Sequence, residues 1–558
     1  MESPAGESLK SVTLACRLLF KPIIEIEIIM AVFYSAERNV TSVGIGFRFS
    51  RRWYMPLVTG VILTLLSQIQ AGAAVINAAS PSFGNVSTAI ALAANGDTIV
   101  IPAGTATWTS TLTIGKAITL QGAGVGQTII KDGLTGTTLL MSWAIPANFA
   151  SRLTGIEFQN VARTGGIIVM EFRGSNVNGS TLRVDHCSFN QIQGTVNFET
   201  IIGVVDHNTF VIAPVASAIR INDTQWNDPT QLSGDKSWTD SPGYGSSQFL
   251  FIEDNTFSTL ASTTPAVTDA YDGARFVLRH NSFNNCIPQN HGTESHGRGR
   301  GTRVMEIYNN TFIGNGSNHF IGGSRSGSVL FHDNNISGYW GDQAAFTFVN
   351  IRADYPWPFW GAADGTNVWD VNDPTVYFTG RAASASSGNT VTVSGVSWTT
   401  NQWVDYVIRR TTNLGNVSTA TSEGIESNTA NTITYTSRTG SAFPIRPLSF
   451  AAGDTVEIRK VLKVLDGVGV GSGSLIQGST PTPPAGWNDQ VTEPCYSWNN
   501  VNELNHPVNF GETSTGYLVK AGVNYFNTPP PFSYTPYTYP HPLVSGAPAA
   551  PQNLHVMQ

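Results

Sequence analysis

The stretch Val184-Asp185-His186-Cys187-Ser188-Phe189 recurs without gaps as Val205-Asp206-His207-Asn208-Thr209-Phe210, Ile252-Glu253-Asp254-Asn255-Thr256-Phe257, Leu278-Arg279-His280-Asn281-Ser282-Phe283, Ile307-Tyr308-Asn309-Asn310-Thr311-Phe312 and Phe331-His332-Asp333-Asn334-Asn335-Ile336. Each copy runs from an apolar residue through two mostly polar residues, usually Asn and a small hydroxyl or amide residue, to Phe or Ile. A weaker copy, Leu153 to Phe158, precedes them. Successive Phe or Ile positions lie 21, 47, 26, 29 and 24 residues apart. Such a period with a fixed polar corner is what stacked coils require, because each coil buries its inward side chains only against its neighbours. In that reading the Phe column stacks inside. The Asn column bonds backbone groups at a sharp corner, tolerates its unusual dihedral, and pairs its amides from coil to coil.

The rest of the composition agrees. The chain has 558 residues, of which 55 are Gly and only 12% are charged, so neither a helical bundle nor a disordered polyelectrolyte fits, and a mostly β protein is left. A formal net charge of -7 argues against a nucleic-acid-binding face. Residues 1–73 read as an over-extended start followed by a secretory signal: Arg51 and Arg52 precede the apolar Leu57 to Leu66, and Ala71-Gly72-Ala73 offers a small-x-small cleavage site. That apolar run is too short for a stable membrane span, which needs about 20 residues. Removing residues 1–73 leaves 24 basic against 33 acidic residues, and the acidic mature chain is expected to be secreted or held at the cell surface. Cys187, Cys286 and Cys495 then remain, too far apart for a metal knuckle and with no disulfide implied.

With these repeats the sequence resembles the right-handed parallel β-helix proteins of the pectate-lyase-like superfamily. Val184-Asp185-His186-Cys187-Ser188 is similar to that family's Asp-His strand motif, with Arg183 where a Trp often stands. The expected fold is all-β: a right-handed parallel β-helix solenoid over 74–375, with an N-terminal capping helix near Phe83 to Asn95. An inserted small β module is expected over 376–460, a returning β-helix and C-terminal cover over 461–545 beginning at a resumed strand Val461 to Leu465, and a tail over 546–558. The tail resembles the opening strand of a fibronectin-type domain. Gly122 to Gly126 lacks dinucleotide-binding spacing and reads as a tight coil corner.

Candidate chemistry sits on the strand preceding each corner strand. Coil by coil, this gives Glu171 and Arg173, Glu199, Asn222 and Asp223, Asp269 and Asp272, Glu294 with His291, His296, Arg298 and Arg300, then Arg325, then Arg352 and Asp354. Coils stack about 4.8 Å apart, so Asp223, Asp269 and Glu294 are expected to converge on a hard cation such as Ca²⁺. In polysaccharide lyases of this fold, the resemblance implies, Ca²⁺ neutralises a uronate carboxylate while an Arg or Lys takes the adjacent proton. Arg298 or Arg325 is then the candidate base, with His291 and His296 chemically easier ones. A hydrolytic version would use Asp269, Asp272 and Glu294 as acid and base, although the family's polygalacturonase motifs are absent. Arg300, Arg303 and Arg352 are candidates for holding an acidic polysaccharide, and Trp226, Trp340, Tyr355 and Trp357 for stacking on its sugar rings. His186, His207 and His280 share one repeat position, that of stacked structural histidines, while Asp185, Asp206, Glu253 and Arg279 read as a surface ladder. Lyase, hydrolase and non-catalytic extracellular glycan-binding scaffold all remain open.

Overall fold

A computed structural model describes residues 11–20, 24–34, 41–49, 73–165, 168–174, 180–214, 217–227, 234–260, 264–292, 300–315, 320–338, 345–348, 370–413, 421–435, 448–472, 490–512 and 519–545. The chain divides into units Met1–Gly72 and Ala73–Gln558. In the first, Ser11–Phe20, Ile24–Tyr34 and Thr41–Phe49 form an antiparallel sheet, a regularity the sequence reading did not assign to this segment. The signal-like stretch 51–72 lies outside the described residues.

In the second unit the chain visits three parallel sheets in turn and then starts again. One round runs through Ser180–Asp185, Ser188–Asn190 and Thr195–Glu199, and the next through Ile202–Asp206, Thr209–Ile212 and Ile219–Asn222. Each strand pairs in parallel with its counterpart one round away. Among the described residues this builds sheets of twelve, ten and six strands, with a further three-stranded sheet continuing the third face. The molecule is thus all-β with long stacked parallel sheets, compatible with a β-helix solenoid.

The recurring stretch explains the stacking. Its Phe residues form one buried column from Phe158 through Phe189, Phe210, Phe257 and Phe283 to Phe312, with ring centroids 4.6 to 5.5 Å apart. The Asn amides run beside it. Nδ2 of Asn208, Asn255, Asn281, Asn310 and Asn334 each donates to Oδ1 of the next, ending at Asn500, over 2.8 to 3.1 Å. Asn500 is a further rung 166 residues beyond Asn334, hidden in the sequence because no Phe or Ile follows it at the expected distance.

The dihedral assignment needs correcting. The left-handed residue is not the Asn but the one before it: His186, His207, Asp254, His280, Asn309, Asp333 and Asn499 have φ between 51° and 57°. Freed of that task, the Asn keeps its side chain aligned with the column. In the weaker copy the left-handed position is Gly155, where a Cβ at the facing Gly122 would lie 2.2 Å from the Gly155 carbonyl oxygen. That close approach accounts for the glycine run, a tight corner as expected.

The helix Phe83–Leu92 buries Val86, Ala89 and Ile90 against the first coils. Lys116 Nζ donates to the carbonyls of Ile90, Ala91 and Ala93 at 2.9, 2.9 and 2.6 Å, satisfying groups that a helix C-terminus leaves orphaned. The inserted segment carries an antiparallel sheet ordered Phe378–Arg381, Thr455–Arg459, Val407–Arg410, Ser422–Asn428, Thr432–Tyr435 and Thr390–Thr392, with its own apolar cluster around Trp403, Ile408 and Phe450. Val461–Val464 pairs antiparallel with Asp370–Asn372 and so closes the stem of this insertion. Parallel pairing resumes at Cys495–Trp498, beside Ser328–His332.

Candidate active site

Which outward face can hold a ligand is decided by what covers the others. On the ten-stranded sheet the outward register from Ser188 through Thr209, Thr256, Ser282 and Thr311 to Asn335 is an uncharged column. The outer face of the twelve-stranded sheet is rich in charge but roofed by the C-terminal segment. There Arg183 donates to the carbonyls of Leu543 and Val544, and Arg279 to those of Tyr537 and Thr538. Glu306 accepts from the Tyr534 hydroxyl at 2.5 Å and Glu253 from the His541 amide. The expected ladder of Asp185, Asp206, Glu253 and Arg279 exists, but it is buried rather than on the surface.

The six-stranded sheet is left. Alternation along Ile168–Gly174, Thr195–Glu199, Ile219–Asn222 and Thr268–Tyr271 points Phe172, Phe198, Ile221 and Ala270 inward. Two columns face outward in register, Glu171, Asn197, Arg220 and Asp269, then Arg173, Glu199, Asn222 and Tyr271. Arg173 meets Glu171 at 2.9 Å and Glu199 at 3.1 Å. Asn222 Nδ2 donates to Asn197 Oδ1 at 3.2 Å.

At the end of these columns the groups converge. Asp269 Oδ2 accepts from Arg220 at 3.0 and 3.2 Å, and His291 Nε2 lies 3.0 Å from Asp269 Oδ1. The Arg220 guanidinium lies 5.0 Å from the Tyr271 ring centre, and the Tyr271 and His291 rings meet edge to face at 6.3 Å. Asp269 and His291 side chains are 17% and 16% exposed, so neither is fully enclosed. Burial alone would raise the Asp269 carboxyl, but the charges of His291, Arg220 and Arg325 hold it below its ordinary value. Burial pushes the Tyr271 hydroxyl up against the opposing pull of Arg220, so Tyr271 keeps its proton.

The backbone under this cluster is fixed. The His291 amide donates to the Ala270 carbonyl at 2.7 Å, and the His291 carbonyl accepts from the hydroxyls of Ser326 and Thr302. Buried Asn290 accepts from the Arg325 amide at 2.7 Å, which ties that neighbour to the same turn. Asp272 stands past the strand end with φ of 49°, its amide donating to the Arg300 carbonyl.

Several expected site residues lie elsewhere. Arg300 and Arg303 are 1% and 0% exposed. Arg300 is held by Asp466 at 2.9 and 2.6 Å, Arg303 by Glu493, and both guanidinium groups lie over Trp238. They bind the chain to itself, joining this turn to the stem of the insertion, and cannot receive a polysaccharide. Trp226 is buried beneath Arg275 with its indole N–H on Asp240, so it offers no face to a sugar. Glu294, His296, Arg298, Trp340, Arg352, Asp354, Tyr355 and Trp357 lie outside the described residues. Arg220 and Tyr271 were missed, although the alternations Ile219-Arg220-Ile221 and Asp269-Ala270-Tyr271 carried the signal.

Of the three side chains expected to hold Ca²⁺, Asp223 and Asp269 are described and Glu294 is not. Both Asp269 oxygens face cationic or N–H groups, and Asp223 is buried with its Oδ2 on the Arg275 amide and its pKa raised to about 7 by burial. Among the described residues no group of three or more His, Cys, Asp or Glu side chains comes together around a common point. Cys187, Cys286 and Cys495 are free and buried, and burial pushes the thiols of Cys187 and Cys495 up to about 12. No described helix is long and apolar enough to cross a membrane.

No family model and no curated protein matches the chain. One solved structure, titled "Geobacillus virus E2 - ORF18", aligns over 76% of this chain and 86% of its own at 11% identity with a TM-score of 0.26, a likeness too low to carry an argument.

Proposed function

We propose that the protein is a secreted right-handed parallel β-helix of the pectate-lyase-like type that binds an acidic polysaccharide along the six-stranded sheet and cleaves it by β-elimination. The observation that carries this reading is the Asp269 carboxylate shared between Arg220 and His291, with Tyr271 and the Arg325 charge beside it. Arginines match the planar carboxylates of a uronate chain. Asp269 orients the His291 ring at Nε2, and proton removal is assigned to His291 in its neutral form. The proton comes from the carbon beside the uronate carboxylate. Its electron pair forms the new C=C bond as the glycosidic C–O bond breaks, and Tyr271, which keeps its proton, supplies it to the leaving oxygen.

A second reading, a glycan-binding scaffold without catalysis, draws on the mutual pairing of Arg173 with Glu171 and Glu199. One assay separates the two. Absorbance at the unsaturated-uronate band is followed on pectate, alginate and glycosaminoglycan, with and without chelator. The expected result is a rise that survives chelator and falls about 100- to 10,000-fold in His291→Ala. A flat trace on every polymer sinks the lyase reading, and full activity of His291→Ala sinks the assigned base.

A further inference from the structure

We propose that segment 528–545 is an exchangeable strap, and that a second copy of this chain seats its own strap on the outer face of the twelve-stranded sheet, joining copies through swapped straps. The seat carries an apolar cluster, Val204, Phe249, Phe251, Val277, Val304 and Tyr308, against which Tyr537, Leu543 and Val544 pack. The strap crosses five successive strands of that sheet, from Val304–Tyr308 back to Ser180–Asp185, and is anchored as it goes. The Tyr534 hydroxyl donates to Glu306 at 2.5 Å, and Arg279 donates to the carbonyls of Tyr537 and Thr538 at 2.6 and 2.9 Å. Glu253 accepts from the His541 amide at 2.8 Å, and Arg183 donates to the Leu543 and Val544 carbonyls at 3.1 and 3.3 Å. Between these anchors Tyr539 stacks on His280 with ring centres 3.7 Å apart, its hydroxyl donating to Asp254 at 2.8 Å.

Three features make this strap separable from the fold it covers. It adds no strand to any sheet, and among the described residues no backbone-to-backbone hydrogen bond joins it to the solenoid. Its lead-in, Thr528-Pro529-Pro530-Pro531, makes no hydrogen bond among the described residues and is a stiff, extended hinge. With Pro536, Pro540 and Pro542, prolines preset much of the strap's backbone, so little conformational freedom is lost on docking, whichever chain supplies the seat. The seat itself fixes the occupant. Left empty, it bares the apolar cluster to water. Its arginines and carboxylates are spaced for the carbonyls, amide and phenols of this one segment, so the partner that fits is the same segment of another copy. A swapped pair keeps every strap contact and changes only which chain supplies it. The stiff hinge lowers the strap's effective concentration at its own seat, and that favours exchange.

The test mixes isotope-labelled and unlabelled full chain at about 1 mM, the effective concentration of a short linker, and about a hundredfold lower. Native mass spectrometry after equal, prolonged incubation reads mixed dimers without any substitution. The position of the strap is read by cross-linking. Tyr244 of the seat and Phe532 of the strap stack with ring centres 5.8 Å apart, so one chain carries Tyr244→Cys and the other Phe532→Cys, and the mixture is mildly oxidised. The native thiols of Cys187, Cys286 and Cys495 are buried and do not compete. Thr107→Cys, exposed on the ten-stranded sheet, replaces Tyr244→Cys in the control that measures chance collision. Mixed dimers are expected at the higher concentration, with the cross-link between Tyr244→Cys and Phe532→Cys chains at least about tenfold above that control. Chains that remain monomeric at the higher concentration, or dimers whose cross-link does not exceed the control, overturn the proposal. Neither outcome depends on the polysaccharide assay.

Discussion

Replacing Asn281 with Ala removes one rung from the middle of the amide column, and the structure says what is stranded. Asn281 Nδ2 donates to the carbonyls of Ile252 and Arg279 at 2.8 and 3.0 Å and to Asn310 Oδ1, while its own Oδ1 accepts from the Asn255 amide at 3.0 Å. Asn310 Oδ1 keeps a second donor, the Asn281 amide, and Asn255 Nδ2 keeps the carbonyls of Val205 and Glu253. Three backbone groups lose this side chain: the Asn255 N–H and the carbonyls of Ile252 and Arg279. At about 1 to 1.5 kcal/mol for each buried hydrogen bond lost, the cost is about 3 to 5 kcal/mol. It appears as a lower midpoint in urea unfolding. Hydrogen exchange at the Asn255 amide should accelerate by the corresponding factor, because that amide has lost its acceptor. A loss below about 1 kcal/mol, or an Asn255 amide that exchanges as before, would refute the claim that the column holds the corners shut.

Two further outcomes follow from buried charge. Arg163 and Asp132 pair at 2.8 Å with neither side chain exposed, so Arg163→Met should cost about 3 to 5 kcal/mol by stranding the carboxylate, and adding Asp132→Asn should recover part of it, both read by chemical denaturation. Burial beneath the C-terminal segment raises Glu306 to about 7, against the pull of the Tyr534 hydroxyl, the Gly245 amide and Arg279. Because the folded value lies above the unfolded one, about 4.3, the neutral form is favoured in the fold. This contribution to stability is full below about pH 4 and is lost as pH rises toward 7. Melting temperature across that window should therefore decline less in Glu306→Gln than in wild type, and parallel profiles would refute the assignment.

The repeat made the stacking legible because one hexad encodes three local necessities at once: an inward apolar residue, a polar corner and an inward aromatic ring. The inserted sheet was legible from its alternation, and the capping helix from its apolar spacing. The left-handed residue was misplaced by one position because His, Asp and Asn all tolerate that conformation, and only the backbone shows which one carries it. In the candidate site, Asp269 and His291 were named from the sequence, but their partner Arg220 lies 49 residues before Asp269, across the longest interval between repeats. Arg300 and Arg303 looked like a subsite because they stand among glycines. Their acids, Asp466 and Glu493, lie 166 and 190 residues away on the far side of the insertion.

Local pattern thus determined the architecture, since each coil repeats the same short-range problem and solves it with the same residue types. The tertiary structure alone decided which charges are spent inside the protein and which stay partly exposed on the six-stranded sheet. That choice depends on where the insertion returns and where the C-terminal segment lies down. Both are long-range contacts that leave no period in the sequence.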